Sequence, residues 1–202
     1  MTDVRTEADA DTVRRVGRPR SPEVDEAILD AAVEAFVDSG LDGFSVDDVA
    51  ARAGVGKATI YRRYACKVDL VIAAARRCCE QQPYAPETGN LEVDLRAVAH
   101  GLVDMLEASV AGRAIPRMVA ESARQPEMRD AQRNFVGRRR AHTIAMVERA
   151  VARGDLRADT DAAALVDMLS GPLFYRQLVT GEPTDDAYVD TLVDSVLRAF
   201  SR

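Results

Sequence analysis

Apolar residues recur at three- and four-residue intervals along most of the chain, and no two-residue alternation lasts long enough to make a convincing strand. Between residues 24 and 39, Ile28, Leu29, Ala32, Val33, Phe36 and Val37 share one helical face. Ser21 and Pro22 supply a cap and a first turn ahead of that face, and Gly40 supplies a stop behind it. A short second helix is predicted after Ser45, whose hydroxyl suits an N-cap and whose followers Asp47 and Asp48 suit a helix N-terminus; it ends near Ala53. Gly54 interrupts the pattern, and Gly56 to Tyr64 begins a third helix. Two short helices around a glycine turn predict a helix-turn-helix. A fourth helix, from Lys67 to about Gln81, buries Val68, Leu70, Val71, Ile72 and Ala75.

Pro83, Pro86 and Gly89 mark a boundary. Five further helices are predicted beyond it, at about 91–111, 113–124, 126–153, 159–180 and 185–200, separated by Gly112, Pro126, Gly154 and Gly181-Glu182-Pro183. Pro172 falls inside one of them and predicts a kink. The fold class is therefore all-α, with about nine helices: a three-helix helix-turn-helix domain and its linking fourth helix at 21–82, then a larger helical domain at 83–202. Residues 1–20 lack apolar periodicity and read as a flexible, Arg-rich arm.

The balance of 47% hydrophobic and 30% charged residues excludes disorder for most of the chain. No apolar run approaches the ~20 residues of a membrane span, and the first twenty residues lack the apolar core of a signal peptide, so the expected location is the cytoplasm, at the nucleoid, with no membrane partner. Cys66, Cys78 and Cys79 match neither a disulfide framework nor a zinc spacing; they read as small buried hydrophobes, with a redox-sensing thiol as the alternative. His100 and His142 lie far apart and would need further ligands to hold a metal, so neither metal nor cofactor is expected. No nucleophile elbow or phosphate-binding glycine loop is evident, which argues against an enzyme.

A net charge of −6 argues at first against nucleic acid, but its distribution reverses the argument. Residues 13–22 hold four arginines (Arg14, Arg15, Arg18, Arg20) and no acid, and residues 49–68 hold five bases (Arg52, Lys57, Arg62, Arg63, Lys67) and no acid. On the second helix of the helix-turn-helix, Lys57, Thr59, Tyr61, Arg62 and Arg63 can reach base edges or phosphates. Arg18 and Arg20 on the arm suit an adjacent minor groove, the alternative being a solubilising tail.

The ordered set from Ile28 through Gly40, then Phe44-Ser45-Val46-Asp47-Asp48 through Thr59-Ile60-Tyr61-Arg62-Arg63-Tyr64 and Lys67, closely resembles the DNA-binding domain of the tetracycline-repressor (TetR) family. The match covers residues 22–80. It implies that Lys57, Ala58, Thr59, Tyr61 and Arg63 occupy DNA-contacting positions, and that Ser45 and Lys67 meet phosphates and position rather than specify. The chain departs from the family pattern at Ala65-Cys66, where a turn-forming residue is common.

Ser170-Gly171-Pro172-Leu173-Phe174-Tyr175 and its continuation to Pro183 resemble the eighth-helix segment of one TetR subgroup. The resemblance implies a homodimer through a four-helix bundle, with Leu165, Met168, Leu169, Leu173, Leu192, Val196 and Leu197 as a candidate seam, the alternative being intrachain core. Met105, Met118, Phe135, Met146, Phe174 and Tyr175 are candidates for a pocket that takes an apolar or amphipathic small-molecule effector, again with core packing as the alternative. Arg138-Arg139-Arg140 either faces an anionic effector or is a solvated helix face. The function this implies is a ligand-responsive repressor on double-stranded, palindromic operator DNA; an activator of the same family, or a helical protein adaptor, is the alternative.

Overall fold

The computed structural model describes residues 21–81, 84 and 87–201, without the side chain of Cys79; the arm with Arg18 and Arg20 lies outside the described residues. Among the described residues there are nine α-helices and no strand: α1 (Pro22–Gly43), α2 (Val46–Arg52), α3 (Lys57–Tyr61), α4 (Lys67–Glu80), α5 (Leu91–Ala108), α6 (Val110–Ser122), α7 (Pro126–Arg153), α8 (Ala162–Tyr175) and α9 (Asp186–Phe200). A π-helical turn, Arg176–Thr180, extends α8.

Side-chain caps fix most helix starts. Ser45 accepts from the Asp47 N–H at 3.2 Å, Asn90 from Val93, Ser109 from Gly112, Asp161 from Ala163 and Ala164, and Asp185 from Tyr188, each satisfying donors that the helix cannot. Ser21 differs from its sequence reading: it precedes α1, but its hydroxyl faces Glu23 at 3.5 Å and makes no cap bond. Gly40 interrupts α1 where the sequence places its stop. It adopts φ 65°, ψ −176° as a kink, after which helical turns continue to Gly43. The break between α5 and α6 falls at Ser109, because a capping hydroxyl starts α6 there, and Gly112 sits inside the helix. α8 runs through Pro172 for another turn before its ladder widens into the π-helical turn.

Two large apolar cores organise the chain. The first packs Ile28, Phe36, Val49, Ile60 and Leu70 of α1 to α4 and reaches Ala114 of α6 and Met128 of α7. The second packs Leu95, Val147, Leu165, Leu169, Leu173, Val189, Val193 and Val196 of α5, α7, α8 and α9. Leu165, Leu169, Leu173 and Val196, read from sequence as a subunit seam, are thus at most 2% exposed within a single chain and belong to its own core. A small cluster of Met105, Leu106 and Ala111 lies at the α5–α6 corner, beside Cys78 and Phe174.

Polar bonds tie α6 to α1. Arg113 meets both Glu34 oxygens at 3.0 Å, Arg117 donates to the Asp38 carbonyl, the Leu41 N–H donates to Glu121 and Arg124 pairs with Asp42. The helix-turn-helix and the larger helical part are therefore joined through α6 as well as through α4.

Candidate functional site

Ile60 is 1% exposed and packs with Val49 and Ala50, which fixes α3 against α2. Gly54 makes the turn between them at φ 65°, and the Val55 N–H donates to the Ala50 carbonyl at 3.0 Å. With Ile60 facing inward, Lys57, Ala58, Tyr61 and Arg62 face outward. Thr59 is half-buried, and its hydroxyl accepts from Arg62 at 3.1 Å. Lys57 pairs with Asp47 of α2, and that hydrogen bond raises the ammonium above its ordinary pKa. Ser45, Lys57, Tyr61 and Lys67 line one shallow depression where α2, α3 and α4 meet. Lys67 donates to the Leu41 carbonyl at 2.7 Å.

Arg63 does not join this face. Its side chain is 15% exposed, pairs with Asp25 of α1 and donates to the Thr59 carbonyl at 3.0 Å, so it clamps α3 to α1. The acid-free stretch is also less bare than its sequence suggests. Asp38 and Asp48 both hold Arg52 at 2.9 Å and Asp47 holds Lys57. Among the described residues, Arg62 and Lys67 are the members of that run without a carboxylate partner.

A cavity of about 770 Å³ opens among α4, α5, α6, α7, α8 and the π-helical turn. Met105, Met118, Phe135 and Phe174 line it, together with Ile72, Leu102 and Ile115, which sequence reasoning had placed only as helix-face residues or not at all. Met146 does not line it, being 4% exposed within the protein interior. Tyr175 does not either. One residue beyond Phe174, it is turned by about 100° around the helix and is 58% exposed. Burial raises the Cys78 thiol at the cavity wall above its ordinary pKa, which disfavours the reactive thiolate there.

Arg76, Arg138, Arg139, Arg140 and His142 add a polar margin to the cavity. Arg140 meets Asp167 through two bonds of 2.8 and 2.7 Å; the contact raises the guanidinium and lowers the carboxyl from their ordinary pKa values. Arg139 lies 4.9 Å over the Tyr84 ring, which itself contacts the His142 ring at 4.4 Å.

Along the outer side of α8 and the π-helical turn, Met168, Tyr175 and Val179 are 48%, 58% and 68% exposed. Leu192 and Leu197 pack partly buried against the second core. Among the described residues no helix is long and apolar enough to cross a membrane.

Residues 28–74 match the family model described as bacterial regulatory proteins, tetR family, and residues 85–196 match the tetracyclin repressor-like C-terminal domain. The chain is similar to an uncharacterized HTH-type transcriptional regulator, YdeS, of Bacillus subtilis, at 32% identity over 88% of this chain and 89% of the relative. It is also similar to a DNA-binding transcriptional repressor of Mycobacteroides abscessus, at 32% identity over 87% of this chain and 93% of that protein. Among solved structures, the TetR family transcription regulator SCO0332 superposes with a TM-score of 0.69 at 28% identity, covering 89% of this chain and all of the other. With both of its halves matched and with relatives aligned over most of their length, the chain belongs to the TetR family of bacterial regulatory proteins.

Proposed function

We propose that the protein is a ligand-responsive repressor, acting in the cytoplasm as a homodimer on a palindromic operator. The observation that carries this reading is the outward face of α3, where Lys57, Ala58, Tyr61 and Arg62 project from a helix locked behind by Ile60. Lys57 is half-exposed, and a surface ion pair such as its contact with Asp47 is screened by solvent and weak. Exchanging that carboxylate for a DNA phosphate therefore costs little. Ser45 and Lys67, beside it, supply a helix N-terminus and an ammonium for the same backbone.

The exposed apolar line of α8 supports pairing of two chains, which sets the separation of two reading helices; half-sites one turn apart lie about 34–36 Å from centre to centre. The cavity is the effector site in this reading. It borders α4 and α6, the two helices that carry the helix-turn-helix, so an occupant that shifts either one changes the head separation.

Selection from a random DNA library at fixed moderate salt, with wild type beside a Lys57→Ala, Tyr61→Ala double variant, tests the proposal. A palindromic motif enriched by wild type and lost in the variant is the expected result. Enrichment of the same motif by both proteins would overturn the assignment of α3 as the reading helix.

A further inference from the structure

Although the whole chain carries a charge of −6, one margin of the cavity gathers Arg76 from α4 and Arg138 and Arg139 from α7. Arg140, next along, is engaged by Asp167, and Glu87, near His142, is engaged by Arg149. Glu80 is the carboxylate that Arg76 and Arg138 share, and the geometry there is unusual. Arg76 Nε and Arg138 Nη2 each stand 3.8 Å from the same oxygen, Glu80 Oε1. Two cations from two helices thus converge on one point that a single, 60% exposed side chain fills at the outer limit of an ion pair.

Directly below lies apolar surface. Phe135 precedes Arg138 and Arg139 by three and four residues, so apolar wall and cations occupy one face of α7 a single turn apart. Val119 and Val136, at the same mouth, remain 44% and 47% exposed. A neutral apolar ligand would leave the guanidinium pair unused, and a cation would be repelled by it. A carboxylate or sulfonate head offers two oxygens where Glu80 places one.

We propose that the cavity takes an amphipathic organic anion, with its apolar body against Met105, Met118, Phe135 and Phe174 and its anionic head between Arg76 and Arg138, displacing Glu80. This rests on the reading of the cavity as the effector site. Because Arg76 is on α4 and Arg138 on α7, the head group bridges the helix that leads to the reading head and the body of the larger domain.

A matched pair of fluorescent probes tests it on the full chain: 1-anilinonaphthalene-8-sulfonate, and N-phenyl-1-naphthylamine, which has the same rings without the sulfonate. The anion should bind wild type about tenfold more tightly than the neutral probe, as charged hydrogen bonds of this kind allow. Arg76→Gln with Arg138→Gln should erase that preference and leave the neutral probe within about twofold, while Glu80→Gln, which removes the competitor, should strengthen the anion alone. Melting curves establish that the variants, all at exposed side chains, remain folded. Equal binding of the two probes to wild type, or a preference untouched by the double variant, overturns the anion proposal and leaves the effector cavity standing. Binding of neither probe overturns both.

Discussion

At Gly112, α6 presses directly on the end of α5. A Cβ built there would lie 2.2 Å from the Leu106 carbonyl oxygen and 2.4 Å from that of Met105, against a floor of 3.0 Å for real Cβ contacts. Both obstacles are backbone, so no side-chain rotation relieves them, and α6 must retreat by most of an ångström. Overpacking of this kind costs about 1–3 kcal/mol, and two simultaneous clashes place Gly112→Ala at the upper end. The better helix propensity of Ala returns up to about 1 kcal/mol, leaving a net loss of about 2 kcal/mol and, for a chain of this length, a fall in Tm of about 4–8 °C. Gly137→Ala is the matched control. It lies within α7 with nothing within 4 Å of the built Cβ, and should stabilise by about 0.5–1 kcal/mol. Thermal and urea melts followed by circular dichroism, at one protein concentration because assembly couples to stability, read both signs. If Gly112→Ala melts within about 0.5 kcal/mol of wild type, the close α5–α6 approach is refuted. With it falls the packing of Met105, Leu106 and Ala111 at the α5–α6 corner.

Met168→Asp, on the exposed line of α8, should weaken self-association by about 100-fold with an unchanged helical spectrum, read by analytical ultracentrifugation; a variant that still dimerises refutes that face as the interface. Arg63→Ala and Asp25→Ala should show a coupling of about 1–2 kcal/mol in a double-mutant cycle, and Arg63→Ala should lower DNA binding without altering sequence preference. Additive melts with a changed preference would return Arg63 to the reading face. Arg140 holds Asp167 below its ordinary value, so the pair contributes above the unfolded carboxyl pKa of about 3.9 and is lost as pH falls through the lower folded one. Asp167→Asn should therefore flatten the acid limb of the stability curve by less than about 1 kcal/mol, given the exposure of that carboxylate; an acid limb identical to wild type refutes the contribution.

What was legible in the sequence was whatever chain neighbours decide. Ser45, Gly54 and Gly154 act on residues within a turn of themselves, so α2, the turn to α3 and the end of α7 could be placed from local chemistry. The α5–α6 corner was misplaced because Gly112 looks like a helix stop but answers to a contact across the corner, and Ser109, the actual start, resembles any surface serine. Periodicity gives the face of a helix and not what covers it. α8 is apolar on two sides, with Leu165, Leu169 and Leu173 turned into the chain's own core and Met168 turned out, and one spacing rule grouped all four. The same limit separates Phe174 on the cavity from Tyr175 off it.

Charge was the least local property of all. The run from 49 to 68 is free of acids in sequence, yet Asp25, Asp38, Asp47 and Asp48 return to three of its five bases once the chain folds. These contacts differ in kind. Asp25 meets Arg63 where both side chains are largely withdrawn from solvent, which makes the pair a fixture of the α1–α3 packing. Asp47 meets Lys57 at side chains half or more exposed, which makes it exchangeable for a phosphate. A protein of net charge −6 can therefore carry a DNA-reading face without a standing array of bare cations. On the proposed readings, Asp47 occupies Lys57 only until a DNA phosphate arrives, and Glu80 serves Arg76 and Arg138 in the same provisional way at the cavity mouth, while Asp25 keeps Arg63 in the scaffold.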